Sequence, residues 1–202
     1  MLKIKENIDL FNEINDYDVI IVGTNTYGMM SQGFQRDVMI NYPYVQEKNL
    51  TTKYGDKSKI GTILECKDNG NPLFCIAYIC IGYNFHPKTK SDYLEYDGLE
   101  NCFKLINIKY SGKKIATTLI GGSKFDGNGN KDKILDIISR NSDSIDLTIY
   151  DYEQKSLKEK LKDFYIKEMS LKGVDENERR KIVTERKKQA EERKKYNGHT
   201  KY

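Results

Sequence analysis

Two glycine-rich stretches hold the residues whose types and spacing suit chemistry. The first begins at Asn25 and carries Gly28, Met29 and Gly33; the second reads Gly121-Gly122-Ser123-Lys124-Phe125-Asp126-Gly127-Asn128-Gly129-Asn130. Each follows an apolar run and precedes a helical pattern. A strand, a glycine loop and a helix start together offer bare backbone N–H groups and the positive end of a helix dipole, a device that holds phosphate. Asn25, at the strand exit, places a carboxamide where it can read a ligand hydroxyl; the alternative is a plain structural cap. A tight strand-to-helix turn also selects glycine for positive φ, so a purely structural turn is the competing reading of the whole block.

The second loop invites other assignments. Its Asp126-x-Asn128-x-Asn130-x-Asp132 spacing resembles a calcium loop, but glycine at the sixth position and a bidentate glutamate at the twelfth are replaced by Lys131 and Ile137. No metal site is expected. Asp126 is a candidate acid or base, against a turn residue bonded to its own backbone. Lys124 is a candidate phosphate contact, against a solvated loop lysine. The chain has two histidines, His86 and His199, so a Ser/His/Asp hydrolase or a histidine-rich zinc site is nearly excluded. Cys66, Cys75, Cys80 and Cys102 show no CxxC pairing and three lie in or beside apolar runs, which predicts buried, reduced thiols.

The elements that must position these residues are readable from periodicity. Leu2 to Lys5 alternates as an edge strand, and Ile8, Leu10, Phe11 and Ile14 offer a short apolar face. Val19–Val22 is a buried strand; a helix over about 33–42 must stop before Pro43, with Phe34, Val38 and Met39 inward and Gln35, Arg36 and Asp37 toward solvent. Residues 48–58 are polar and turn-rich, a surface connection. Residues 60–64 form a strand, Asn69-Gly70-Asn71 is a hairpin turn, and 73–81 is a near-continuous apolar strand. A helix over about 92–108 places Leu94, Leu99, Cys102, Phe103 and Ile106 inward. Residues 114–120 are a strand, 131–140 a helix with Ile134, Leu135 and Ile138 apolar, and 145–150 an alternating strand. The alternation predicts a three-layer α/β/α sandwich with a mixed sheet, both glycine loops at its carboxyl edge, where open α/β sheets bind ligands.

The net charge of +4 conceals a split: residues 155–201 hold 16 Lys/Arg and 9 Asp/Glu, a net of +7 that leaves residues 1–154 at −3. Two domains are therefore expected, 1–152 and a basic helical extension, 153–202. In the extension Leu157, Leu161, Phe164, Tyr165 and Met169 recur at helical spacing, and Asp175 with Glu178 resembles a capping box. The following residues, 176–195, carry little apolar surface. That helix is solvated or held by a partner, either another protein or a second copy of the chain. Nucleic acid is a weaker candidate, because Glu176, Glu178, Glu185, Glu191 and Glu192 interrupt the basic stripe. No apolar run approaches a membrane span and the first residues lack a signal-peptide core, which predicts a cytoplasmic protein without membrane contact.

Several motifs, in this order, resemble the macro domain, the ADP-ribose-binding family. The similarity is greatest to short macro-like proteins of bacteriophages and to the branch of DNA-ADP-ribosyl hydrolase antitoxins. Asn25, residues 27–34 and Asn41-Tyr42-Pro43 resemble that branch's N…MGxGIA…YP pattern; Tyr54-Gly55-Asp56 with Lys59-Ile60-Gly61-Thr62 resembles GD…KLGT; Ile120 to Gly127 resembles its second phosphate loop. The resemblance covers about 1–152. It implies that Asn25 faces the distal ribose, with Gly28, Met29 and Gly33 lining that loop. It further implies backbone contacts from Gly121, Gly122 and Ser123 to the diphosphate, with Lys124 nearby and Phe125 flanking the ribose. Asn7 falls near the family's adenine-reading aspartate.

Two departures bear on catalysis. The stretch from Gly82 to Lys88 has no lysine in register with the one such hydrolases use, and Asp126, the only acid of the second loop, sits about one position late. The function implied is binding of ADP-ribose or a related nucleotide without a cofactor, extending to hydrolysis of ADP-ribosyl adducts or ADP-ribose 1''-phosphate. The alternative is a non-enzymatic assembly protein, as in a phage particle, that keeps the fold and docks through 153–202.

Overall fold

A computed structural model describes residues 2–82, 93–122 and 127–151. Six strands form one sheet: β1 (Leu2–Glu6), β2 (Val19–Asn25), β3 (Ile63–Cys66), β4 (Leu73–Cys80), β5 (Lys114–Thr118) and β6 (Asp146–Asp151). Their order is β1-β6-β5-β2-β4-β3. All neighbouring pairs are parallel except β3 with β4, which is the hairpin expected around Asn69-Gly70-Asn71. β1 is an edge strand, as its alternation suggested.

Strand alternation divides the core cleanly into two layers. One face of the sheet presents Val19, Ile21, Cys75, Ala77, Ile79, Ile115, Leu147 and Ile149 to α3 (Tyr96–Lys109) and α4 (Lys131–Arg140). The other presents Ile20, Val22, Phe74, Ile76, Tyr78, Ala116 and Tyr150 to α1 (Gly33–Asn41), α2 (Pro43–Leu50) and two short 3-10 turns, Leu10–Asn12 and Ile14–Asp16. The sandwich is the three-layer α/β/α arrangement expected. The four cysteines are buried and free, and burial pushes the thiols of Cys66, Cys75 and Cys102 up to about 12. They behave as small core residues.

Several boundaries differ from expectation (β5 ends at Thr118 rather than at residue 120, and β6 runs one residue later), and four others differ for a clear local reason. Gly23 and Asn25 belong to β2 rather than to the loop, because β4 runs alongside and continues the ladder. α1 ends at Asn41 as Pro43 requires, but Pro43 then opens α2, where its missing N–H costs nothing. The start of the expected polar connection is thus helical. β3 begins at Ile63, not at residue 60, because an Asp56-capped 3-10 turn, Lys57–Lys59, leads into Gly61 at φ +81°. α3 begins at Tyr96, since Leu94 pairs with Cys80 and Glu95 N–H donates to Ile79 O (2.9 Å). Leu94 remains a core residue, as do Leu99, Cys102, Phe103 and Ile106. α4 buries Ile137 alongside Ile134 and Ile138, whereas Leu135 is partly buried. The extension 153–202 lies outside the described residues.

Candidate functional site

β2 and β5 are parallel neighbours, paired Val19 with Ile115 through Ile21 with Thr117. The two glycine loops therefore leave adjacent strands at one carboxyl edge, as expected. The chain approaches itself closely just before the two loops: a Cβ on Gly23, in β2, would lie 3.0 Å from Cβ of Ile120.

The first loop is organised by side chains. A register shift opposite Thr24 and Asn25 brings Asn25 level with Cys80 instead of Ile79, the kind of bulge that re-aims a side chain at a strand end. Thr26 fastens the exit: its N–H donates to Cys80 O and Ile81 O, and its hydroxyl to Ile81 O at 2.9 Å. Asn25 is 8% exposed. Its Oδ1 accepts from the N–H groups of Tyr27 (3.0 Å) and Met29 (3.2 Å), while Nδ2 donates to Met29 O (2.9 Å). The carboxamide thus closes the loop on itself, the capping alternative read from the sequence, and keeps one Nδ2 hydrogen outside these bonds. Gly28 adopts φ +68°, where a side chain would be strained.

A second set of side chains supports this loop from α2 and β4. Gln46 Nε2 donates to Gly28 O (3.0 Å), and Asn49 Nδ2 donates to Gln46 Oε1 (3.4 Å). Tyr78 OH donates to Asn49 Oδ1 (2.8 Å). Thr52 hydroxyl donates to Asn49 O (2.7 Å) and accepts from Lys59 Nζ (3.0 Å). Burial raises the Tyr78 phenol above its ordinary range and lowers Lys59, whose ammonium lies 4.9 Å from the Tyr78 ring centre. Outside this set, Gly55 N–H donates to Thr26 O and the Tyr54 ring meets Tyr27 edge-on at 4.8 Å. Gln35, expected in solvent, is buried and accepts from the Thr24 hydroxyl.

The second loop is shaped by a wedge. Gly129 N–H donates to Gly121 O (2.8 Å), and Gly127 O accepts from the N–H groups of Tyr93 and Leu94. Leu94 presses into the stem, so that a Cβ on Gly121 would lie 2.8 Å from Leu94 Cδ1 and one on Gly129 2.7 Å from Cδ2. Gly121 also has φ +78°. Asn130 caps α4 by accepting from Lys133 N–H (2.9 Å), and its own N–H donates to Tyr96 OH.

The structure thus gathers Asn25, Gly28 and Met29 in one turn, sets Gly33 at the start of α1, and brings Gly121 and Gly122 to the neighbouring strand exit. Ser123, Lys124, Phe125 and Asp126 lie outside the described residues, as do His86, Lys88 and His199. Asn7 follows β1, exposed at φ +58°, with its N–H donating to Asp151 O. In the strand order it stands three spacings from Asn25, about 14 Å. Among the described residues no three His, Cys, Asp or Glu side chains gather to hold a metal ion, and no helix is long and apolar enough to cross a membrane. Sequence reasoning missed Gln46, Asn49 and Thr52. Reading Pro43 as a helix start rather than only a stop would have exposed Gln46 and Asn49 as an i, i+3 pair.

This sheet order with two glycine loops on adjacent strands is a macrodomain fold, and comparison with solved structures shows it. A Bacteroides thetaiotaomicron protein of unknown function matches with a TM-score of 0.61 at 16% identity, over 75% of this chain and 98% of its own. The macrodomain of Mycobacterium tuberculosis DarG matches with a TM-score of 0.54 at 15% identity, over 76% and 99%. Thermosipho africanus DarTG in complex with ADP-ribose matches with a TM-score of 0.55 at 17% identity, over 79% of this chain and 44% of its own. No protein-family model matches the sequence, and no curated protein does.

Proposed function

We propose that this chain binds ADP-ribose or a closely related nucleotide between the loops that follow β2 and β5. The observation that carries the reading is the exit of both loops from adjacent parallel strands at one sheet edge, in a fold shared with a protein solved with ADP-ribose. The ligand's diphosphate lies along the second loop, beside Gly121 and Gly122 and on the backbone N–H of Ser123, with Lys124 next to it; the N–H of Gly122 itself donates to Leu119 O (3.3 Å). The distal ribose faces Asn25, Gly28, Met29 and Gly33, with Phe125 flanking it, and the adenine extends toward Asn7.

In this reading Asn25 acts mainly by shaping the loop, and its remaining Nδ2 hydrogen serves the ribose. Hydrolysis of an ADP-ribosyl adduct or of ADP-ribose 1''-phosphate is the extension. Positioning would supply most of the rate, with Asp126 taking a proton from water or from a ribose hydroxyl.

A second reading, a non-enzymatic assembly module docking through 153–202, is favoured by one observation: the amide that should read the ribose is bonded within its own loop. Calorimetry with ADP-ribose separates the two. Wild type is expected to release binding heat, and Asn25→Ala to weaken affinity roughly tenfold or more, because three hydrogen bonds that shape the loop disappear together. Absence of heat from wild type at millimolar ligand overturns the binding reading.

A further inference from the structure

The Gly28–Met29 peptide is held from both sides. A trans peptide points its carbonyl and its N–H in opposite directions within one plane. Here the carbonyl of Gly28 accepts from Gln46 on α2 (3.0 Å), while the N–H of Met29 donates to Asn25 on β2 (3.2 Å). The plane of this peptide is set by ψ of Gly28 and φ of Met29; glycine at φ +68° leaves the first of these loosely constrained, so within the range Met29 allows the two hydrogen bonds decide the plane. A rotation of that plane would exchange an acceptor for a donor on each face of the loop.

We infer that Gln46 is a positioning residue of the candidate site: its carboxamide sets the plane of the Gly28–Met29 peptide, and with it the direction in which the first loop presents its polar groups to a nucleotide. The ligand half of this inference rests on the function proposed above; the peptide half does not. The orientation of Gln46 is itself imposed. Tyr78 donates to Asn49 Oδ1, which turns Asn49 Nδ2 toward Gln46 Oε1, which leaves Gln46 only its N–H side for Gly28 O. Asn49 and Tyr78 are almost fully buried, so water does not readily substitute for them.

The test compares wild type with Gln46→Glu and Gln46→Met in the full chain. A glutamate has the shape of glutamine but, ionised, no hydrogen to donate. Protonated, its hydroxyl donates to Gly28 O again. The titratable groups around this hydrogen-bonded chain are Lys59, with Asp56 near it, Tyr78, and Glu47 next to Gln46 on α2. Amide NMR without ligand reads the peptide half. Gln46→Glu at pH 7.5 is expected to shift the Met29 amide resonance and lower its exchange protection, with return toward wild type only as the pH falls to about 4, through the ordinary glutamate range, whereas Gln46→Met does not return. Calorimetry reads the ligand half: affinity for ADP-ribose falls roughly tenfold in both Gln46→Glu and Gln46→Met at pH 7.5, the scale of one unpaired buried acceptor.

A Met29 amide identical to wild type in a folded variant overturns the inference. So does an altered Met29 amide with unchanged affinity. If wild type binds no ADP-ribose, the proposed function fails while the NMR arm still decides the peptide clamp. If the glutamate variant does not fold, the methionine variant carries the same two readouts.

Discussion

The two glycine loops occupy equivalent places, each after a parallel strand and before a helix, yet they are built on opposite principles. The first is held by directional hydrogen bonds: Asn25 from within, Gln46 from α2, and behind Gln46 a chain through Asn49, Tyr78, Thr52 and Lys59. The stem of the second is closed by backbone bonds, Gly129 N–H to Gly121 O and Tyr93 and Leu94 N–H to Gly127 O, and shaped by contact, with the Leu94 side chain wedged against Gly121 and Gly129. Glycine serves φ in one loop; in the other it serves both φ and space. A glycine-rich pattern therefore names no single cause, and its physical content differs between neighbouring loops of one molecule.

Alanine at the two glycines separates these causes most sharply. At Gly121 a new Cβ would sit 2.8 Å from Leu94 Cδ1 at φ +78°, so Gly121→Ala carries left-handed strain and overpacking together, about 2–4 kcal/mol. At Gly28 the nearest atom, Asn49 Nδ2, is 3.4 Å away, so Gly28→Ala carries little beyond the strain of φ +68°, about 1 kcal/mol. Chemical denaturation of the full chain is expected to rank the two in that order. Adding Leu94→Ala should relieve the first and leave the second unchanged, a coupling of roughly 1–2 kcal/mol in a double-mutant cycle. Equal losses at the two glycines would erase the distinction between the loops.

A smaller change tests the hydrogen-bonded side. Tyr78→Phe removes the donor to Asn49 Oδ1 and leaves a buried acceptor unmatched, at a cost of about 1–2 kcal/mol. The regional readout is more telling than the total. Hydrogen exchange should quicken at Met29, whose amide depends on the order of the first loop, and stay unchanged at Gly129, whose amide donates to Gly121 O at the second loop's stem. Quickening at both would mean that the loops share one support.

The difference between the loops also explains what was legible in the sequence. Strands with strict alternation and the extent of α4 could be read from neighbours in the chain because their causes are local. So could the shared sheet edge, since parallel strands joined by helices must send their loops to one side. The supports of the loops could not. Leu94 reaches the second loop from a segment paired with β4, and nothing near Gly121 announces it. Gln46 and Asn49 lie on a helix hidden by reading Pro43 only as a terminator. Asn25 was legible as a chemically apt residue, but whether its amide met a ligand or its own backbone depended on the bulge against β4. Periodicity reveals burial, whereas hydrogen-bond partners come from strand register, which the sequence does not display.

The smallest expected effect concerns charge. The support of the first loop ends in Lys59, a half-buried ammonium; the described stem of the second is held by Leu94 and backbone bonds. Burial is the larger influence on Lys59 and lowers its affinity for a proton below the ordinary 10.5, with Asp56 acting weakly in the other direction. A lysine with a lowered folded-state value binds protons less readily than it does in the unfolded chain. Stability from this group therefore increases as pH rises from the lowered value toward 10.5, and the cost of the buried charge is fully present below that window. Denaturation of wild type and Lys59→Met across pH 7.5 to 10.5 should show the difference moving in favour of wild type, because the neutral amine still donates to Thr52 without the desolvation cost. The Tyr78 ring, 4.9 Å from Nζ, opposes this by attracting the cation. If the difference instead moves against wild type as pH rises, the ring outweighs burial, and the first loop's support is held by an ammonium ion rather than merely tolerating one.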